Sequence, residues 1–148
     1  MAVDIDFDSI AWNVGSATQG GSPIVVRFRQ IPGTFNKQIY PHRLNLFWRM
    51  SLNTQAGLPD ESESAKLEQF ENRLIEAVER DSFAILAVVL TGGGEREFVF
   101  HSKDRAGFID RLTHMPQEQA RYPLNIQAYD DPAWDYDAAV TLPYGQQG

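Results

Sequence analysis

The stretch FAILAVVLTGGGEREFVF occupies residues 83–100 and decides the fold. Residues 83–90 are all apolar, and a run of this length is typical of a strand that is covered on both faces. The Thr-Gly-Gly-Gly segment at 91–94 then predicts a turn, and residues 96–100 alternate polar and apolar side chains. We therefore predict a hairpin whose first strand is buried on both faces, whose second strand lies nearer the margin, and against which two long helices pack.

One helix is predicted on each side of this hairpin. Residues 61–80 follow a capping box in which Asp60 accepts from the amide three residues on, and Glu63 reaches back. Apolar residues then recur at helical spacing: Leu67, Phe70, Leu74, Ala77 and Val78. The second helix begins at Ser102 as its N-cap, with Asp104 in the first turn. Its apolar stripe consists of Phe108, Leu112 and Met115.

Further strands are predicted before and after the helices. Residues 10–12 lead into a short strand, and the segment 15–23 is a turn-rich link. Residues 24–31 alternate, which predicts a half-buried strand with Arg27 and Arg29 on a basic outer face. The strand at 42–52 has an apolar row made of Leu44, Leu46, Trp48 and Met50, and the last strand has one made of Leu124, Ile126 and Ala128.

The order β-α-β-β-α-β indicates an α+β fold of the ferredoxin-like kind: an antiparallel sheet with two helices on one face, plus N-terminal β-strands. In that topology the strand 44–50 is central and flanked on both sides. The strand 24–31 must then extend an edge, or form a separate ribbon with the strand at Trp12. We expect a single domain over residues 1–140 and a flexible C-terminal tail over 141–148.

Composition excludes several classes of function. The chain has 148 residues, no cysteine and a net charge of −7, so disulfides and thiolate metal sites are absent. Such acidity argues against nucleic-acid binding and against anionic membrane surfaces. Because there is neither a secretory signal nor an apolar span, we expect a soluble, cytoplasmic protein.

Candidate site residues are few. The histidines His42, His101 and His114 lie on different predicted elements, which favours surface or strand-end positions over a metal site, although acid–base work by His101 remains open. We expect no metal, no cofactor and no catalytic constellation. Just after the last strand, acids are mixed with aromatic residues that are enriched in binding sites. The predicted interaction surface therefore consists of Asp130, Asp131, Trp134, Asp135 and Tyr136, and the alternative is that this segment is only a solvated acidic turn.

Several segments together resemble a known family. They are a strand opening in Tyr40-Pro41, a loop ending Gly57-Leu58-Pro59, the helix with Leu67, Phe70 and Leu74, the strand Phe98-Val99-Phe100, and DPAWDY at 131–136. Over residues 12–136 the chain resembles the bacterial domain-of-unknown-function family 695. That family has no established activity, so the resemblance implies no catalytic residues. The order of elements is also similar to that of regulator of ribonuclease E activity B, which inhibits an enzyme by binding it.

These observations favour a small acidic regulatory or protein-interaction domain without enzymatic activity. It would bind another protein with a basic surface, as inhibitor- or immunity-type proteins do. The alternative is an enzyme or small-ligand-binding domain that uses a cleft near the open face of the sheet. The oligomeric state is left open by the sequence.

Overall fold

The computed structural model of the protein describes residues 6–50, 57–115 and 123–142. Its strands are β1 Trp12–Gln19, β2 Ser22–Arg29, β3 His42–Arg49, β4 Ala84–Gly92, β5 Glu95–Ser102 and β6 Leu124–Asp130. Its helices are α1 Glu61–Glu79, α2 Arg105–Thr113 and α3 Asp135–Thr141, and short 3₁₀ turns occupy Phe7–Ser9 and Lys37–Ile39. The predicted tail 141–148 therefore starts inside α3, and residues 143–148 lie outside the described residues.

The strands form one six-stranded antiparallel sheet in the order β1-β2-β4-β5-β3-β6. The predicted α+β class is confirmed, and β3 is flanked on both sides as predicted, by β5 and β6, although the middle strands of the six-stranded sheet are β4 and β5. The strand predicted at 24–31 does not pair with β3. It is β2, which extends the sheet beyond β4, and β1 then forms the edge.

The sheet is covered on both faces, so the domain has two hydrophobic cores. The first core lies beneath α1 and α2, which contribute Leu67, Phe70, Leu74, Val78, Phe108 and Leu112. The second core lies on the opposite face, where the N-terminal segment, the loop before β3 and the segment before α3 contribute Phe7, Ile10, Phe35, Tyr40 and Trp134.

Strand β4 belongs to both cores, as the unbroken apolar run predicts. Its side chains toward the helices are Ala84, Leu86 and Val89, and those toward the second core are Ile85, Ala87 and Val88. A bulge in the pairing with β5 lies between Leu86 and Val88 and shifts the alternation by one residue. The prediction that β5 lies nearer the margin is wrong, because β5 pairs with β4 and β3 and is itself interior.

Helix α1 begins where the sequence predicts it. The Asp60 side chain accepts the N–H of Glu63 at 2.8 Å, which satisfies one of the free donors in the first turn. The Glu63 carboxylate accepts the indole N–H of Trp48 at 2.8 Å, so this N-terminal residue also ties the helix to β3.

The predicted basic outer face of the strand 24–31 is wrong. Arg27 and Arg29 lie on the side of β2 that α1 covers, where they form ion pairs with Glu71 and Glu79. Arg29 and Glu79 are both buried, with side chains 4% and 3% exposed. The prediction failed because alternation alone does not show that a neighbouring helix supplies an acid opposite each arginine. Since both arginines are paired, these two positions offer no free basic surface.

Two local boundaries also differ from prediction. The N-cap of α2 is Asp104, whose side chain accepts the N–H of Gly107 at 2.6 Å, whereas the Ser102 hydroxyl donates to the carbonyl of Asp104. The segment 15–23 is not a link, because β1 and β2 run through it and leave only Gly20 and Gly21 as a tight turn. Both glycines have positive φ, which a two-residue hairpin turn of type I′ requires.

Candidate functional site

The five residues of the predicted interaction surface form what we call the C-terminal corner: Asp130, Asp131, Trp134, Asp135 and Tyr136. The structure brings them together where β6 turns into α3. Asp131 and Trp134 are buried there and Tyr136 is half-buried, whereas Asp130 and Asp135 are exposed. An approaching partner would therefore meet only Asp130, Asp135 and part of Tyr136.

Asp131 attaches α3 to the sheet. Its carboxylate accepts from Nη1 of Arg43 at 2.7 Å and from the backbone N–H groups of Asp135 at 2.9 Å and Tyr136 at 3.2 Å. Burial by itself would raise the pKa of Asp131. The hydrogen bonds from Arg43 and from the two backbone N–H groups outweigh burial, so the pKa lies below its ordinary value of 3.8. This carboxylate is ionised and fully used inside the protein.

Arg43 is equally well enclosed. Its guanidinium contacts two aromatic rings, at 4.5 Å from the centroid of Tyr129 and 4.4 Å from that of Tyr136. Its Nε donates to Asn45 at 2.8 Å, and Asn45 in turn donates to Glu97.

Glu97 completes this polar network, because it also accepts from the hydroxyl of Tyr136. Burial and the adjacent Glu97 carboxylate raise the pKa of Tyr136 well above its ordinary value of 10. The hydroxyl is therefore protonated at neutral pH and can donate this bond. The network closes on itself, which is typical of a structural support for α3.

The sequence predicts His101 at a surface or a strand end, and the residue does lie near the end of β5, but the surface alternative is wrong because His101 is fully buried. Its ring stacks on Trp134 with centroids 3.9 Å apart and planes at 7°. Its Nε2 lies 2.7 Å from Oδ1 of Asp137 on α3. A carboxylate only accepts hydrogen bonds, so Nε2 carries the hydrogen and donates.

The burial of His101 bears on catalysis. No hydrogen-bond partner of its Nδ1, or of Oδ2 of Asp137, occurs in the described part of the chain. The indole of Trp134 covers the imidazole and donates its own N–H to the carbonyl of Tyr40 at 3.1 Å. A substrate cannot touch this histidine unless Trp134 and α3 move away.

The other two histidines lie apart from His101. His42 is 3.1 Å from Asp130, and His114 is 3.3 Å from Asp110 near the end of α2. Across residues 6–50, 57–115 and 123–142, no three side chains from His, Asp and Glu are gathered as a metal site requires. No helix in these same ranges is long and apolar enough to cross a membrane.

A feature that sequence analysis missed is an acidic groove, with a volume of about 630 Å³, between the 3₁₀ turn Phe7–Ser9 and the C-terminal half of α1. Its carboxylates are Asp6, Asp8, Glu76 and Glu79, and Asn72, Ile75, Arg80 and Ser82 also line it. The only signal in the sequence was the row of acids near the N-terminus, which nothing linked to α1.

The carboxylates of the acidic groove differ in their surroundings. Glu79 is buried at its floor, paired with Arg29, whereas Asp6, Asp8 and Glu76 are exposed at its rim. Burial raises the pKa of Glu79, the Arg29 guanidinium offsets part of this effect, and the negative charge of Asp8 raises the pKa slightly further. Three exposed carboxylates against the single cation Arg80 leave the rim of the groove with a negative formal charge, which favours a cation.

Comparison with known proteins places the chain in a family. A model of the family of unknown function DUF695 matches residues 11–137. The chain belongs to this family. Among curated proteins and solved structures, nothing matches this chain. The DUF695 match runs from β1 into α3 and so includes the C-terminal corner, but it begins after Asp6 and Asp8.

Proposed function

We propose that this DUF695 protein is a small acidic interaction domain, without enzymatic activity, that binds a partner protein with a basic surface. The observation that carries the proposal is the acidic groove. Its three exposed carboxylates, Asp6, Asp8 and Glu76, surround a space that is large enough for a lysine or arginine side chain. Charge complementarity of this kind steers association and fixes which partner binds.

The acidic groove is a better candidate than the C-terminal corner. In the corner, Arg43 already neutralises Asp131, and the exposed Asp130 lies 3.2 Å from Arg105 and 3.1 Å from His42. In the groove, neither Asp8 nor Glu76 forms an ion pair with another side chain of the described ranges. These two carboxylates keep their charge available to a partner.

The partner's chemistry would determine the biological role. If its basic surface surrounds an active site, this protein would act as an inhibitor- or immunity-type regulator. The alternative of an enzyme or ligand-binding domain that uses a cleft near an open sheet face is less well supported, because the sheet is covered on both faces and the acid–base candidate, His101, is fully buried beneath Trp134.

Matched charge reversals test this proposal. Asp8→Lys with Glu76→Lys changes the groove, and Asp130→Lys with Asp135→Lys makes the same change in charge at the corner. Proteins captured from the native host are first identified with the wild-type chain. Association of the purified partner is then measured at low and high salt with each variant, after circular dichroism has shown equal folded fractions.

We expect the groove variant to slow association at low salt by about tenfold or more and to flatten the salt dependence, with little effect from the corner variant. Loss of binding in the corner variant alone would move the interface to Asp130 and Asp135. If both variants bind as the wild type does, the electrostatic proposal is wrong.

A further inference from the structure

Strand β1 is an edge that lacks the usual protection. Among the described strands it pairs only with β2, in a ladder that runs without interruption from Trp12 opposite Arg29 to Gln19 opposite Ser22. Its eight residues, WNVGSATQ, include no charge and no proline. Natural sheets generally protect an exposed edge with lysine, proline or a bulge, because its free N–H and C=O groups can pair with another strand.

The direction of these backbone groups follows from one hydrogen bond. The N–H of Gln30 donates to the carbonyl of Ala11 at 2.9 Å, so Ala11 faces β2. Directions alternate along an antiparallel strand, and every second residue of β1 therefore directs its N–H and C=O away from β2. The outward-facing residues are Trp12, Val14, Ser16 and Thr18.

The outer side of β1 is also neutral and partly apolar. Val14 is 68% exposed, although a β-branched side chain suits a paired strand. The nearest cations, Arg27 and Arg29 of β2, are paired with the acids of α1. In a chain of net charge −7, this uncharged edge is therefore a place where two copies can approach without repulsion between like charges.

We propose that β1 binds β1 of a second copy in antiparallel orientation, so that two sheets join into one across a two-fold axis. An interface between identical chains must be complementary to itself. An antiparallel strand meets this condition, because outward donors and acceptors alternate along it. A basic partner, by contrast, would gain no electrostatic attraction from an uncharged strand. This surface is separate from the acidic groove and requires no other protein.

Proline at an outward-facing position tests the pairing. Ser16→Pro removes an N–H that β2 does not use, so the β1–β2 ladder is kept while an added strand loses a donor. Ser16→Ala is the control that keeps the N–H. Ile126→Pro is the control on the other edge, β6. The N–H of Arg49 donates to the carbonyl of Pro123, so Pro123 faces β3. Because directions alternate along the strand, the backbone N–H of Ile126 points away from β3 and is not used by the sheet.

Sedimentation equilibrium of the purified full chain, over a wide range of concentrations, provides the measurement. We expect a species of twice the 16.7 kDa chain mass for the wild type, Ser16→Ala and Ile126→Pro, and at least a tenfold weaker dimer for Ser16→Pro. Circular dichroism checks folding. If Ser16→Pro does not fold, Val14→Lys replaces it, because it puts a charge at the edge without removing a buried contact. A monomeric wild type, or a dimer that survives the β1 variants, would overturn the proposal.

Discussion

Replacing Asp131 by asparagine separates a structural role from a docking role at the C-terminal corner. Its side chain is 7% exposed and is paired with Arg43, whose side chain is 14% exposed. Asparagine keeps one carbonyl oxygen for a backbone N–H of α3 but loses the negative charge. The variant therefore leaves the Arg43 guanidinium partly buried without its counter-ion.

The size of the effect follows from these contacts. Breaking a buried ion pair by removing one partner costs about 3–5 kcal/mol. Arg43 keeps its hydrogen bond to Asn45 and its two tyrosine rings, so we expect a cost at or below the lower end of this range, about 2–3 kcal/mol. For a domain of this size the melting temperature should fall by about 5–10 °C.

The effect should also depend on pH. The pKa of Asp131 is lower in the folded protein than its ordinary 3.8, so the unfolded chain takes up the proton first as pH falls. The stability contributed by the carboxylate is complete above that ordinary value and is lost as pH falls through the folded-state pKa. The difference between wild type and Asp131→Asn should therefore be full at neutral pH and shrink in acid.

Urea unfolding followed by circular dichroism, at neutral and acidic pH, measures both quantities. The matched control is Asp135→Asn, which removes an exposed carboxylate four residues on and should change stability by no more than about 0.5 kcal/mol. Equal stabilities of the two variants at neutral pH would refute the reasoning and return Asp131 to the candidate docking residues.

Two further perturbations test the interior. Glu79→Gln should destabilise the domain by about 3–5 kcal/mol in thermal or urea unfolding, since it leaves Arg29 charged and buried. Glu71→Gln, beside the more exposed Arg27, should cost about 1 kcal/mol or less, and equal costs would contradict the burial argument. Leu86→Asp places an unpaired charge in the first core and should unfold the chain. In hydrogen exchange of the wild type, the β4 amides should be among the slowest to exchange. A folded Leu86→Asp variant, or fast exchange of these amides, would contradict the interior position of β4.

The parts of the fold that could be predicted are those governed by short-range patterns. The apolar run 83–90 identified a strand buried on both faces, and the acids at Asp60 and Glu63 identified the start of α1. Both depend on residues close in sequence. Pairing of the Trp12 strand with the strand 24–31 is one of the two arrangements that the sequence allows, but glycine and serine over 15–23 predict a link there, whereas in the structure only Gly20 and Gly21 form the turn.

The candidate site was harder to predict because its contacts join distant parts of the chain. Asp137 is 36 residues from His101, and Glu79 is 50 residues from Arg29. Neither pair leaves a local pattern, so a buried histidine and a covered arginine looked like surface residues. The helix α3 was missed for a related reason: it is seven residues long, and only the half-buried Tyr136 and Val140 pack against the second core, which is too short an apolar stripe to indicate a helix.

The attachment of α3 explains why net charge alone cannot locate a docking surface in this protein. Besides the packing of Tyr136 and Val140 on the second core, α3 is held by polar contacts: the cap from Asp131, the bond from Tyr136 to Glu97, and the bond between Asp137 and His101. The acids in these contacts contribute to the charge of −7 but have partners inside the chain. A basic partner is attracted most by carboxylates that form no ion pair inside the chain, and Asp8 and Glu76 form none among the described residues, while Arg80 is the cation that shares the acidic groove with them.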